Sequence, residues 1–408
     1  MSTQRAAVAI IGGGVIGCSI AWHLTRHGLT DIVIVERNDL GSGATARSAG
    51  LVARGRLHPP AMAMVRQTRE AIDVLEQRGQ SVGFQRVGSL RVAVSEPRAQ
   101  ELVNMDAMLA QAGVTVRNPD AAEARTLAPF LDTSTALRRS YVEDDGYVDA
   151  YRLTSAYASA ARARGVRILT RTAVRAVLHG GGRVLGVDTS AGEIHADCVI
   201  NAGGAWGIGL AEAVGHPMGA APTRSHYYIT APLPDVPRDF PLIYLPDARA
   251  YARPEVGGVL LGVQEPRSLT FDARTLPDDI RDYPLSDADN EWAELAAQAD
   301  TLRPFFPKLD AWPLAHHITG LSTYTPDGRF VLGHAGPLAG YLVAGGCCGT
   351  GVSCSGGIGA ALAALVLGEA PAVDLTDFDA ERFGPIDPHS PAFRERCAAA
   401  RAGKLRLG

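Results

Sequence analysis

Ala7-Val8-Ala9-Ile10-Ile11-Gly12-Gly13-Gly14-Val15-Ile16-Gly17 is an apolar run that ends in a glycine turn of the form G-x-G-x-x-G. The apolar residues before the turn predict a buried strand. After it, Ile16, Ile20 and Leu24 recur every four residues and Gly28 follows. That spacing predicts a helix closed by a glycine cap. Asp31-Ile32-Val33-Ile34-Val35-Glu36 predicts a second strand, ending in an acid nineteen positions after Gly17. The turn alone is weak evidence; strand, turn, helix, strand and acid together are the context of a dinucleotide fold. Gly12 permits the tight turn, Gly14 lets the backbone approach a pyrophosphate, and Gly17 lets helix and strand pack closely. The helix start, with Val15 and Ile16, offers unpaired N–H groups and partial positive charge to phosphates. Glu36, beside Arg37, is placed to accept from a ribose hydroxyl.

The chain has 408 residues, enough for two or more domains and a large core. Its formal charge is −4, which argues against nucleic acid or an anionic membrane as a partner. No run of eighteen apolar residues exists, so no membrane span is expected. The apolar start is broken by glycines and followed by Trp22, His23 and Arg26, unlike a signal peptide. Cys18, Cys198, Cys347, Cys348, Cys354 and Cys397 form no C-x-x-C pair and have no His at ligand spacing. Free thiols, a cytoplasmic chain and no metal are therefore expected.

Further along, residues 43–56 are small and flexible, ahead of a helix over 60–78. Residues 89–94 alternate, with Leu90, Val92 and Val94 on one face, which predicts a half-buried antiparallel strand. Helices follow over 97–112 and after Asp120, a good N-cap. Tyr147-Val148-Asp149 leads into an Ala-rich helix closed by Gly165, then a strand over 166–169. A hairpin surrounds Gly180, Gly181 and Gly182, and the apolar strand from Cys198 runs into Gly203 and Gly204. Short strands are expected at 227–230 and 258–263, a helix at 286–303, and a strand at 342–346 that enters a second glycine set before a helix to Leu367. The order predicts an α/β chain with an α+β second domain. Doubly wound pieces at 1–85, 146–215 and 321–383 form a discontinuous Rossmann-type domain. An antiparallel-sheet substrate domain is interleaved at 86–145 and 216–320. Residues 384–408, polar and Pro-containing, are expected as a surface extension.

Several separated segments resemble one family. They are the Gly12–Gly17 turn with Glu36, Gly43–Gly50, Asp144-Asp145-Gly146, and Asn201-Ala202-Gly203-Gly204-Ala205-Trp206. Arg253-Pro254-Glu255 before Gly257–Gly262, Thr325-Pro326-Asp327-Gly328, and Gly345–Val352 complete the set. Together, over about residues 5–383, they resemble the FAD-dependent D-amino-acid oxidase superfamily and its branches of sarcosine oxidase, glycine oxidase, and dimethylglycine or sarcosine dehydrogenase. The resemblance implies an extended FAD. Its adenosine would lie near Glu36, Arg37 and Val174, and its pyrophosphate on the first turn. The isoalloxazine would lie against Ala44, Thr45, Arg47, Ser48, Ala49 and Gly50, with Ala202, Gly203 and Trp206 alongside. Gly346, Gly349, Thr350, Gly351 and Val352 would carry a second helix N-terminus toward the flavin N1–C2=O edge. In relatives, a His at the position of Arg47 or a Cys at that of Gly320 bonds covalently to flavin; this chain has neither, so FAD is expected to be non-covalent. The monomeric sarcosine oxidase lysines for oxygen activation and for the substrate carboxylate match Leu260 and Ser353 here. Lys308 and Lys404 are the chain's only lysines. The Arg253-Pro254-Glu255 strand looks more like the dehydrogenase branch.

Oxidation of a neutral amine by flavin needs little acid–base help, so the protein's tasks are alignment, desolvation and anchoring. Arg54, with Arg56 and His58 nearby, can clamp a carboxylate bidentately or stand on the surface. His226 and Tyr228 match a His-x-Tyr pattern of the dehydrogenase branch and can touch flavin or substrate, or be core residues. Tyr251 and Arg253 on the next strand, Gln264, His316-His317, Tyr324 and Thr350 are further candidates. The expected function is oxidation of a C–N bond in a small secondary or N-methyl amine, with oxygen or an electron-acceptor protein as the second partner. A D-amino acid, glycine or a proline-type imino acid is the alternative substrate. A non-catalytic flavoprotein subunit or assembly factor is the alternative role, and a homo- or hetero-oligomer stays open.

Overall fold

The computed structural model describes residues 4–280, 283, 285 and 292–403. Among them, two large sheets carry the fold. In the first, Gln4–Ile11 pairs in parallel with Ile32–Val35 on one side and Gly192–Asn201 on the other. Arg167–Leu169 and Tyr341–Gly345 extend the two flanks, also in parallel. Val331–His334 adds an antiparallel edge, and the hairpin Val174–Gly180 with Arg183–Thr189 joins through Gly192–Asn201. The segments Val8–Ile11, Ile32–Val35 and Val199–Ile200 are apolar because both faces are covered there. Val8, Ile10, Ile32 and Ile34 face the helices Val15–Arg26, Pro59–Gln77, Ala150–Arg162 and Ser355–Val366. Ala9, Ile11, Val33 and Val35 face the hairpin and the short helix Gly207–Ala213.

Part of the second glycine set serves helix packing. A Cβ on Gly357 would lie 2.4 Å from Met64 Cα, and one on Gly359 2.3 Å from Ser19 Oγ. Small residues there let three helix backbones approach closely.

The second sheet has the order Leu314–Tyr324, Ala221–Thr230, Gly258–Val263, Ala250–Glu255, Leu242–Leu245, Ser89–Ala93 and Arg138–Val142. Its pairing is antiparallel except between Leu242–Leu245 and Ser89–Ala93, which run in parallel. The strand expected at 89–94 thus has one antiparallel and one parallel neighbour. It is also buried on both faces rather than one. Leu90 and Val92 enter the core, while Ser89 and Arg91 on the other face are covered by a polar network around Asp145.

The chain crosses between the sheets repeatedly. Leu314–Tyr324 runs through the expected 320/321 boundary as one strand. Of the helix expected at 286–303, Ala293–Leu302 is present, and 286–291 lie outside the described residues. Of the extension expected at 384–408, residues 384–403 are described and 404–408 lie outside the described residues. Pro391–Gly403 is a helix that packs on the strands Ala221–Thr230 and Leu314–Tyr324, burying Phe393 and Cys397 against Ala221 and Tyr324. Phe393 is its one large apolar residue, so the segment reads as polar; its seam is nonetheless regular, at 393, 397 and 401. No helix among the described residues is long and apolar enough to cross a membrane.

Candidate active site between the two sheets

A cavity opens where the C-terminal ends of the parallel strands meet the inner face of the second sheet. One end is built by the first glycine turn. Gly12 has φ +101°, and a Cβ there would lie 2.5 Å from the Ala202 carbonyl oxygen. A Cβ on Gly17 would lie 2.0 Å from the Gly12 carbonyl oxygen, so Gly17 supports the turn without lining the cavity. At Gly14 the nearest protein atom to such a Cβ is Thr45 Oγ1, at 3.4 Å, leaving its backbone open to a ligand. Glu36 ties strand to turn: its carboxylate accepts from the Gly13 N–H at 2.7 Å and the Asn38 N–H at 2.8 Å. Each oxygen keeps acceptor capacity for a hydroxyl. Arg37, Val174 and Trp206 line the same end; Arg37 pairs with Asp278, and the Trp206 indole donates to the Pro277 carbonyl.

Two loops frame the middle. Ala44, Thr45, Arg47, Ser48, Ala49 and Gly50 form one wall. The Arg47 guanidinium donates to the Ser42 carbonyl at 2.8 Å, and its Cβ stands 2.7 Å from where a Cβ on Gly320 would be. Positions 47 and 320 therefore touch. Gly349, Thr350, Gly351 and Val352 form the opposite wall. This loop is tied to the second sheet by Cys348 N–H donating to the Thr323 carbonyl and Gly349 N–H to Ser322 Oγ. The expected helix N-terminus lies later than Gly351: a turn closes from Cys354 N–H to the Thr350 carbonyl, and the helix begins at Ser355. The N–H groups of Gly351 and Val352 meet no protein acceptor among the described residues. Gly346 lies behind this wall, with φ +59° and a Cβ position 2.7 Å from Thr325. Glycine turn, acid, and two facing loops with free N–H groups fit a long dinucleotide such as FAD.

The far end is polar yet carries no carboxylate among the described residues. Ser225, His226, Tyr227, Tyr244, Tyr251, Gln264, Tyr324, Arg56 and Arg401 line it. Several of their polar atoms are buried without a hydrogen-bond partner among the described residues: Tyr244 Oη, Gln264 Oε1, Arg56 Nε, and Arg401 Nε and Nη1. Buried polar atoms are normally paired, so such a cluster marks a ligand surface. Burial, then the positive charges of Arg401 and Arg224, push the His226 imidazole down to about 2, so it is neutral at physiological pH. Its Nδ1 lies 3.1 Å from His317 Nε2. Burial pushes the Tyr251 and Tyr244 phenols up, keeping both protonated.

Three expected site residues are corrected. Arg54 is drawn away by Asp145 at 3.3 Å and Asp144 at 3.4 Å, outside the cavity. Arg253 is consumed in holding the 44–50 loop: Nε donates to the Ala49 carbonyl at 2.7 Å and Nη1 meets Glu255 at 2.6 Å. Tyr228 shares the strand face of His226 but lies in the second sheet's core, stacked on His317 at 4.6 Å. His58 caps the helix Pro59–Gln77 and pairs with Asp377, while His316 and His317 do not line the cavity. Sequence reasoning missed Tyr244, Ser225, Tyr227 and Arg401. Phe393, Cys397 and Arg401, spaced by four, was the available signal for the last.

A glycine turn on a parallel sheet, opening into a cavity shared with a second sheet, defines a dinucleotide-dependent oxidoreductase of the two-sheet kind. The sequence profile of the DAO family, FAD dependent oxidoreductase, matches residues 7–365. The chain belongs to that family, and FAD is its cofactor. It is 28% identical over 401 residues to the mitochondrial pyruvate dehydrogenase phosphatase regulatory subunit of Mus musculus, covering 96% of this chain and 45% of that one. It is 30% identical over 375 residues to the 4-methylaminobutanoate oxidase (formaldehyde-forming) of Paenarthrobacter nicotinovorans, covering 92% and 45%. The chain thus spans about half the length of these relatives. In fold it is similar to the L-proline dehydrogenase of P. horikoshii, with a TM-score of 0.83, 22% identity, and coverage of 94% and 98%.

Proposed function

We propose that this chain oxidises the C–N bond of a small amine or amino acid, foremost an N-alkylated one, to an imine that water hydrolyses. The observation that carries this reading is the far end of the cavity, where unpartnered polar atoms face the loops that would hold the flavin. Gly12–Ile16 would hold the FAD pyrophosphate, Glu36 the ribose, and the 44–50 and 349–352 loops the isoalloxazine. Bound FAD supplies the two-electron acceptor. The chain's own residues keep the amine neutral: with Arg56 and Arg401 near and no carboxylate at the far end among the described residues, an ammonium is disfavoured in this enclosed space. Neutral His226, Gln264 and Tyr244 orient the amine by hydrogen bonds. With glycine at position 320 and Arg47 bonded to Ser42, the flavin is held without a covalent bond. No lysine lines the cavity among the described residues, which favours an electron-acceptor protein over lysine-assisted oxygen reduction.

The relative named as a 4-methylaminobutanoate oxidase supports an N-methyl substrate. The relative named as a regulatory subunit supports a second reading, a flavoprotein without turnover. Turnover with an artificial electron acceptor separates them. N-methyl amino acids, prolines, glycine and D-amino acids are each supplied, and acceptor reduction and aldehyde or keto-acid release are followed. Matched acceptor reduction and product release supports oxidation. Its absence across the panel removes the amine reading and leaves the fold. Fast stoichiometric peroxide in air defeats the dehydrogenase reading.

A further inference from the structure

Arg401 lies outside the stretch matched by the family profile, which ends at residue 365. The helix Pro391–Gly403 carries it into the cavity on the same seam as Phe393 and Cys397. Its side chain is 5% exposed, and its Nε and Nη1 have no hydrogen-bond partner among the described residues. No ion pair involves it among the described residues. Its guanidinium carbon stands 5.7 Å from the Tyr324 ring. Its charge is felt at His226, Tyr251 and Tyr324, all at the far end. A buried guanidinium without an anion is strongly disfavoured, and the other buried arginines here show the usual remedy. Arg224 meets Glu265 and Glu294, and Arg91 lies near Asp145. The acids that line the cavity, Glu36, Asp278 and Asp279, belong to the opposite end, beside the first glycine turn and Arg37. Arg56, the other cation at the far end, already donates to Ser353 Oγ at 3.3 Å.

We propose that Arg401 binds the carboxylate of the substrate, so that the 391–403 helix selects amino acids over simple amines. This rests on the amine-oxidation reading. Guanidinium and carboxylate are opposite in charge, the one donating the two parallel hydrogen bonds that the other accepts, and a carboxylate supplies a counter-ion. Neutral His226 and protonated Tyr251 flank it without competing for its charge.

The test uses FAD-loaded protein and non-reactive probes: acetate, propionate and benzoate, each beside its neutral amide. Binding is followed by calorimetry and by the shift of the flavin spectrum. The acids are expected to bind the wild type and the amides to bind far more weakly. Arg401→Met should weaken acid binding about a hundredfold or more and leave amide binding unchanged. Arg401→Lys, which keeps the charge, should retain part of the acid affinity and serves if the Met variant fails to fold. Equal acid and amide affinity in the wild type, or undiminished acid binding in either variant, overturns the proposal. So does loss of acid binding in Arg56→Met with none in Arg401→Met. Arg401-dependent acid binding in a protein whose flavin no amine reduces keeps the anchor and removes the amine reading. Amine turnover with KM unchanged in Arg401→Met does the reverse.

Discussion

Gly17 has no room for a side chain, because a Cβ would stand 2.0 Å from the Gly12 carbonyl oxygen. Gly17→Ala should therefore push the turn off the helix at a cost of about 1–3 kcal/mol and release FAD. Flavin content of the purified variant checks this; full occupancy would contradict it. His23 and His226 argue a pH dependence. Burial pushes His23 down to about 4 and His226 to about 2. Below the ordinary imidazole value near ~6.5 the unfolded chain binds protons that the folded chain does not, so stability falls with falling pH. Each group contributes a slope of roughly 1.4 kcal/mol per pH unit in that window. Urea unfolding between about pH 7 and about pH 5 should show the decline, and His226→Asn should flatten it; a slope unchanged by His226→Asn counts against a buried neutral His226. Gly12, Gly14 and Glu36 stand where the strand–turn–helix–strand pattern puts them, because that pattern depends on a few neighbours in sequence. Arg54 and Arg253 were misread because their partners, Asp145 and the Ala49 carbonyl, come from other segments. Tyr244 gave no signal, since only the packing of its strand against the cavity makes it a site residue.

At the level of elements, periodicity served well wherever an element buries one continuous stripe or both faces. The helix Val15–Arg26 and the strand Ile32–Val35 follow directly from their apolar spacing. Ser89–Ala93 shows the limit: its alternating polar residues are buried by an ion network, and alternation cannot distinguish that from solvent. The helix Pro391–Gly403 shows another, since a seam of Phe393, Cys397 and Arg401 puts a charge where apolar residues are expected. Phe393 is 2% exposed and anchors that helix. Phe393→Ala should cost about 3–5 kcal/mol of stability. It should also weaken acid-probe binding, because Arg401 depends on the helix for its place. Denaturant unfolding and probe titration on the same variant check both; lost stability with unchanged probe affinity would uncouple the helix from the site.

For the whole molecule, the cavity is assembled from segments hundreds of residues apart, from Gly12 to Arg401. We propose the division into an FAD domain and a substrate domain on this basis, with strands such as Leu314–Tyr324 serving both. FAD bound across the cavity should stabilise the entire chain. At free FAD a hundredfold above its Kd the gain is about 2.7 kcal/mol, so thermal unfolding should be single and shifted upward on loading. Two separate transitions, with only one shifted, would contradict a shared site. Whether the far end of the cavity presents an amine to FAD is decided by anaerobic titration of the holoprotein. Addition of N-methyl amino acids should bleach the visible flavin absorbance in proportion to amine, while the same amines lacking a carboxylate bleach it far less. A flavin spectrum that no amine or amino acid changes would rule out amine oxidation at this site.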